Sequence, residues 1–184
     1  MRLLRYCFWA MLCPVLNCTA QTKTILKAGD TMPDILFTTV LNSPASTIRL
    51  SDFKAKPVIL DFWATTCGSC LKGFPLADSL QKEFCGDIQI LLVNPKISRD
   101  DTARINKTLA RARENYGRAI ELPVIAGDSI AFPFFGVNYV PLYVWLDGNR
   151  VIRAISDKKD LTSENIRALI AGRKIKLTPK DSKK

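Results

Sequence analysis

The chain has 184 residues, 47% of them hydrophobic and 24% charged, with a formal net charge of +10. That length buries an apolar core in one domain without staples, and the composition excludes a disordered or fibrous chain. Half of the net charge lies in residues 173–184 (RKIKLTPKDSKK), read as a basic, solvated and frayed C-terminal tail. No basic stripe interleaved with aromatic residues suggests a nucleic-acid partner.

Residues 1–20 read as a signal peptide. Arg2 and Arg5 form a basic start, residues 6–16 (YCFWAMLCPVL) an apolar run too short to span a bilayer, and Cys18-Thr19-Ala20 a small-residue cleavage site before Gln21. The expected location is periplasmic or otherwise extracytoplasmic; anchoring by an uncleaved signal or by lipidation of Cys18 is the alternative. Once that segment is removed, Cys67, Cys70 and Cys85 remain of the six cysteines. Three are too few for a disulfide scaffold and point to redox work.

In chain order, residues 35–40 and 47–50 suggest two short strands joined through Asn42-Ser43-Pro44 as a hairpin-like extension, and Ser51-Asp52-Phe53 a single helical turn. The run 57–63 (PVILDFW) reads as a central strand covered on both faces. A helix is expected from Cys67 to Phe84, kinked at Pro75, and a second buried strand over 88–93. Residues 98–101 (SRDD) resemble a capping box ahead of a helix striped by Ile105, Leu109, Ala112 and Tyr116. A short strand over 122–126 and a helical segment over 130–135 follow. Strands over 142–146 and 150–155 flank the hairpin turn Asp147-Gly148-Asn149. Thr162 caps a last helix that Gly172 ends. The strand–helix–strand core implies a parallel crossover, and the final hairpin adds antiparallel strands. The expected fold is α/β: a mixed sheet with helices on both faces and an N-terminal β extension.

The pair Cys67 and Cys70 stands where strand 57–63 gives way to a helix. Free N–H groups and the positive helix end there favour a thiolate at Cys67, below the free value of about 8.5. Cys70, almost one turn on, is within bridging reach, should be more buried, and would resolve a mixed disulfide. The C-x-x-C spacing is also half of a zinc site, but the chain has no His and one further cysteine outside the signal segment, so no metal is expected. A three-residue loop gains little from an inert staple. No cofactor is implied.

The run Asp61-Phe62-Trp63-Ala64-Thr65-Thr66-Cys67-Gly68-Ser69-Cys70 resembles the active-site run of thioredoxins. With the signal, the N-terminal extension and an insertion over 95–128, the chain is most similar to the TlpA/ResA-like family of bacterial periplasmic thiol–disulfide oxidoreductases, over roughly residues 28–172. The resemblance implies a thioredoxin-like fold and a cis-proline at Val140-Pro141 facing the cysteines, its preceding backbone pairing with substrate. Trp63, Gly68 and Ser69 are expected beside Val140 and Pro141 on the substrate surface. It further implies a monomer acting on disulfide-bearing proteins and fed by a membrane thiol carrier. Asp61 stands where thioredoxins keep a buried acid; among apolar neighbours its pKa should rise, fitting it to exchange a proton with Cys70.

Two positions depart from the family: Gly73 where a Glu is frequent, and Thr66 where a Trp commonly precedes the first cysteine. Ser69 supplies no charge to the thiolate, unlike the His common between the cysteines of strong oxidants, so the expected direction is reduction. Cys85 is expected to be small and partly buried. Phe74, Phe132, Phe134, Phe135 and Trp145 are core or active-site rim. Two other functions compete. A peroxiredoxin-like peroxidase would carry a Pro where this chain has Leu60, and a redox-silent module would only hold thiol-bearing partners.

Overall fold

A computed structural model describes residues 24–178. The expected signal peptide and residues 179–184 of the expected tail lie outside the described residues. The first half of the chain forms β1 (Leu36–Phe37), β2 (Val40–Leu41), β3 (Ile48–Arg49), β4 (Val58–Phe62), α1 (Gly68–Leu71) and α2 (Phe74–Glu83). The second half forms β5 (Gln89–Pro95), α3 (Thr102–Tyr116), β6 (Val124–Asp128), β7 (Leu142–Leu146), β8 (Ile152–Ser156) and α4 (Ser163–Ile170).

The main sheet runs β2-β6-β5-β4-β7-β8. At its centre every residue of β4 is buried, as a continuous apolar run requires when both faces are covered. β4 pairs in parallel with β5 and antiparallel with β7, so the sheet is mixed as expected.

One face carries Ile59, Trp63, Ile90, Leu92, Tyr143 and Trp145, packed beneath Phe74 and Leu80 of α2, Ile105 of α3 and Ile166 of α4. The other, with Leu60, Phe62, Leu91 and Val144, meets Met32, Ile35 and Phe37 of the N-terminal extension together with Phe132 and Phe135. The three longer helices therefore share the Trp63 face. Helical cover on the other face is reduced to the 3-10 turns Leu50–Phe53 and Phe132–Phe135.

Local details correct the sequence reading. The N-terminal hairpin is split: β1 pairs with β3 in a small separate sheet, while β2 leaves to pair with β6. Phe37 and Val40 are three residues apart, and strand alternation of period two cannot bury both from one straight strand. The helix after Cys67 breaks at Lys72-Gly73, not at Pro75. Pro75 falls in the first turn of α2, where its missing N–H has no bond to lose.

Ser98 does not cap α3. Its hydroxyl donates to Asn94 Oδ1 at 2.9 Å, and Asp101 is the cap, accepting from Arg104 N at 2.7 Å. Of the α3 stripe, Ile105 and Ala112 are buried, whereas Tyr116 is exposed and donates to the Leu71 carbonyl. Cys85 is exposed rather than partly buried, because α2 has ended and the chain turns at Gly86 with φ +94°.

The tail is not frayed at its start. Ile175 is buried, Asn165 exchanges two hydrogen bonds with the backbone of Lys176, and Asp160 accepts both the N–H and the hydroxyl of Thr178 at 2.7 Å.

Candidate active site

β4 ends at Phe62 and a short loop delivers the chain to α1. The Cys67 N–H donates to the Ala64 carbonyl at 3.0 Å, which tightens that loop. Cys67 is the N-cap of α1, and its Sγ accepts the Cys70 N–H at 3.2 Å with Ser69 Oγ at 3.4 Å. Cys67 and Cys70 are joined as a disulfide with Cα atoms 5.3 Å apart. Their surroundings differ: Cys67 is half-buried at the rim, Cys70 wholly buried. A one-turn helix has a weak dipole, so the first-turn amide and hydroxyl act directly on the Cys67 sulfur.

Two residues that the sequence reading passed over brace this loop. Asp100 accepts the Thr65 N–H at 2.9 Å and the Thr65 hydroxyl, and the Asn94 amide donates to Asp100 at 2.9 Å and to the Trp63 carbonyl at 3.3 Å. Burial pushes the Asp100 pKa up, but the bonds from Thr65 and Asn94 outweigh it and hold the carboxyl below the usual range. Reading 98–101 as a capping box concealed this role.

Asp61 lies in the middle of β4, wholly buried, and neither carboxylate oxygen makes a hydrogen bond of normal geometry. Burial drives its pKa up to about 7, and the phenol of Tyr143 opposite pulls it part of the way back. The raised pKa expected from its apolar neighbours is thus present, on the sheet face that also covers Cys70.

Trp63, expected on the substrate surface, is instead wholly buried, its ring edge-on to Phe74 at 5.0 Å and its Nε1 without a partner. Strand alternation from Ile59 and Asp61 points it inward, so it supports the site from below. Gly68 and Ser69 are exposed.

The Val140–Pro141 peptide bond is cis. It immediately precedes β7, whose Leu142 lies beside Phe62, so it shares the end of the sheet from which Cys67 projects. Val140 and Cys67, both half-buried, pack against the same core. A further rim residue is Lys158, whose Nζ donates to the Ser69 carbonyl at 3.4 Å. Of the aromatic residues, Phe74, Phe132, Phe135 and Trp145 are core and Phe134 is half-buried. Among the described residues no group of three or more potential ligands assembles to hold a metal ion.

The Redoxin family profile matches residues 27–166. Thiol-disulfide oxidoreductase ResA of Geobacillus kaustophilus is 27% identical over 137 residues, covering 72% of this chain and 71% of that protein. Thioredoxin-like protein YneN of Bacillus subtilis is 35% identical over 69 residues, a stretch covering 38% of this chain and 39% of YneN. Among solved structures, the thioredoxin domain of a thiol-disulfide oxidoreductase from Bacteroides vulgatus superposes with a TM-score of 0.60 at 20% identity. That alignment covers 79% of this chain and 99% of the other, and it establishes the thioredoxin-like fold. A profile match running from the N-terminal extension into α4, around a C-x-x-C disulfide at a strand–helix junction, places this chain in the Redoxin family as a thiol–disulfide oxidoreductase of the ResA kind.

Proposed function

We propose that this protein is an exported reductase of protein disulfides in which Cys67 attacks, Cys70 resolves and Asp61 handles the proton. The observation that carries the reading is the asymmetry of the pair. One sulfur is at the rim under an amide N–H, and its mate is buried on the face that holds an unpartnered carboxyl.

In the reduced protein the Cys67 thiolate attacks one sulfur of a substrate disulfide. An S–S bond forms to Cys67, the substrate's S–S bond breaks, and one substrate thiolate leaves. Asp61, ionised, then takes the proton of the Cys70 thiol. The Cys70 sulfur attacks Cys67, closing the Cys67–Cys70 disulfide and releasing the second substrate thiolate. Protons from Asp61 and from solvent complete the substrate dithiol, so two electrons pass from the protein to the substrate.

Val140 offers its backbone ahead of Pro141 to an extended substrate chain, and Gly68 and Ser69 form the exposed floor beside it. Direction follows from Ser69, which adds no charge to the thiolate; a potential as oxidising as about −120 mV against glutathione sinks the reductase assignment. Export rests on the pattern of residues 1–20, and a membrane thiol carrier is the natural electron source on that side. Fractionation of the full chain, with N-terminal sequencing of the product, tests both cleavage and location.

Insulin-disulfide reduction is the direct assay. It is lost in Cys67→Ser, while Cys70→Ser accumulates a mixed disulfide through Cys67 whose partner identifies the substrate. Equal activity in wild type and Cys67→Ser removes the mechanism.

A further inference from the structure

Among the described residues, buried polar side-chain atoms without a hydrogen bond gather on the Trp63 face of the sheet: both Asp61 oxygens, Trp63 Nε1 and the Tyr143 hydroxyl. The other such atom, Asp78 Oδ2, is compensated by ion pairs to Lys82 at 3.2 Å and Arg118 at 3.5 Å. Tyr143 has no such compensation. It is wholly buried in β7, where a Phe would fill the same space without desolvating a hydroxyl.

Its register gives the hydroxyl a purpose. Tyr143 is directly opposite Asp61 across the antiparallel β4–β7 pair, and opposed residues project from the same face with Cβ atoms about 4.5–5.5 Å apart. At its far end the phenol reaches the turn that holds Cys70. A Cβ added at Gly73 would lie 3.4 Å from Tyr143 Oη and 3.1 Å from both the Cys70 carbonyl and Lys158 Cδ. The absence of a side chain at Gly73 leaves the hydroxyl its room. One phenol thus extends from the buried carboxyl to the underside of the cysteine turn.

We propose that Tyr143 is a positioning residue for proton transfer, its O–H donating to Asp61 once that carboxyl ionises and so tuning the base that serves Cys70. The proposal deepens, and rests on, the reading of Asp61 as the acid/base. The phenol is fit to donate and not to ionise, since burial first and the Asp61 charge second both hold its proton on.

On the face that carries the carboxyl, Tyr143 is the polar side chain directly opposite it in register, and Trp63 Nε1 is the other unpartnered donor. β5 presents Leu92 beside Asp61, and the cysteines of α1 are tied up in the disulfide. Ile105 of α3 and Ile166 and Leu169 of α4 carry no charge, and Asp78 of α2 is ion-paired. Beyond β8, Asp157 adds its charge to the field at Tyr143, while the Lys158 ammonium is at the rim on the Ser69 carbonyl.

The test uses the oxidised full-length protein, in which neither Cys67 nor Cys70 titrates. Carbon-13 NMR of labelled aspartate follows the Asp61 carboxyl, whose signal is identified by its loss in Asp61→Asn. The midpoint near 7 moves up by about one pH unit in Tyr143→Phe, a tenfold change in proton affinity. It moves down when a singly fluorinated tyrosine, a stronger donor of nearly the same shape, replaces Tyr143. The pH profile of Cys70 attack on a preformed Cys67 mixed disulfide shifts in the same two directions.

A midpoint unmoved by both replacements overturns the proposal, and the fluorinated residue decides the matter even if Tyr143→Phe folds poorly. If Asp61→Asn flattens the profile while the Tyr143 variants do not move it, the inference falls alone. If Asp61→Asn leaves the profile intact, the acid/base reading falls and takes this role of Tyr143 with it.

Discussion

Asp128 closes β6 with 6% of its surface exposed, and it accepts the backbone N–H groups of Ile130, Ala131 and Phe132 at 3.1, 2.9 and 2.8 Å. Asp61 sits in the middle of β4, fully buried, and accepts no hydrogen bond of normal geometry. Position along the strand explains the difference. Where β6 ends, the chain turns and its next amides are free to point at a carboxylate. In mid-strand those amides are committed to the ladders with β5 and β7. A carboxylate surrounded by donors organises the following turn. One without donors is comfortable only while it holds a proton, and that makes it useful for moving one.

Removing the charge at Asp61 is the largest change this contrast predicts. Its folded pKa of about 7 stands above the ordinary 3.8, so between those values the folded protein binds more protons than the unfolded one. Stability is therefore fully present below the lower value and is lost as pH rises toward the upper one. The loss is on the order of 4 kcal/mol. Asp61→Asn should abolish that slope, leaving the oxidised protein about 4 kcal/mol more stable than wild type at pH 8 and little changed at pH 4. In the same variant Cys70 attack should slow by roughly 100-fold, the usual contribution of a positioned base. Urea unfolding at the two pH values, with single-turnover rates, reads both. Parallel stability profiles for the two proteins would mean that the carboxyl is solvated after all.

Asp128→Ala should act in the opposite sense. It strips the partner from the buried amides of Ala131 and Phe132, at a cost of about 3 kcal/mol. Activity per folded molecule should be unchanged, since Asp128 lies at the start of the turn carrying Phe132 and Phe135, on the face away from α1. Urea midpoints and insulin reduction, compared with wild type, check it. A variant as stable as wild type would show that the three short bonds are replaceable, and the contrast with Asp61 would lose its structural half.

The sequence displayed what depends on adjacency and concealed what depends on pairing. β4 was legible because five consecutive apolar-flanked residues need cover on both sides, and the cysteine pair because its spacing is a matter of one helical turn. The raised pKa of Asp61 followed from its neighbours in the run. By contrast, Tyr143 faces Asp61 only through strand register, and Asp100 reaches Thr65 only after the chain has passed through β5 and turned back. No local period announces either contact. Trp63 was misplaced because an aromatic residue beside an active-site motif gives no sign of the face on which it falls. The break at Gly73 was displaced to Pro75 because proline is the stronger local signal, although at the second helical position it is tolerated.

The smallest effect concerns Asp100, and it extends the contrast to a third carboxyl. Burial alone would push its pKa up as it does for Asp61, but the bonds from Thr65 and Asn94 prevail and hold it below 3.8. The sign of its linkage is accordingly reversed: its stabilisation is present above the unfolded value and is lost as pH falls through the folded one. Asp100→Asn keeps an oxygen for Thr65 but weakens every bond that the charge had strengthened, at a cost of about 1 kcal/mol near pH 6. Because Thr65 stands two residues ahead of Cys67, alkylation of Cys67 should also slow modestly as the loop loosens. The decisive comparison is the stability difference between Asp100→Asn and wild type at pH 6 and again in acid, below the ordinary carboxylate range. It should shrink as the pH falls, because wild-type Asp100 then takes up its proton. A difference that holds constant with pH would mean that the Thr65 bonds owe nothing to charge, and that Asp61 stands apart for its missing partners alone.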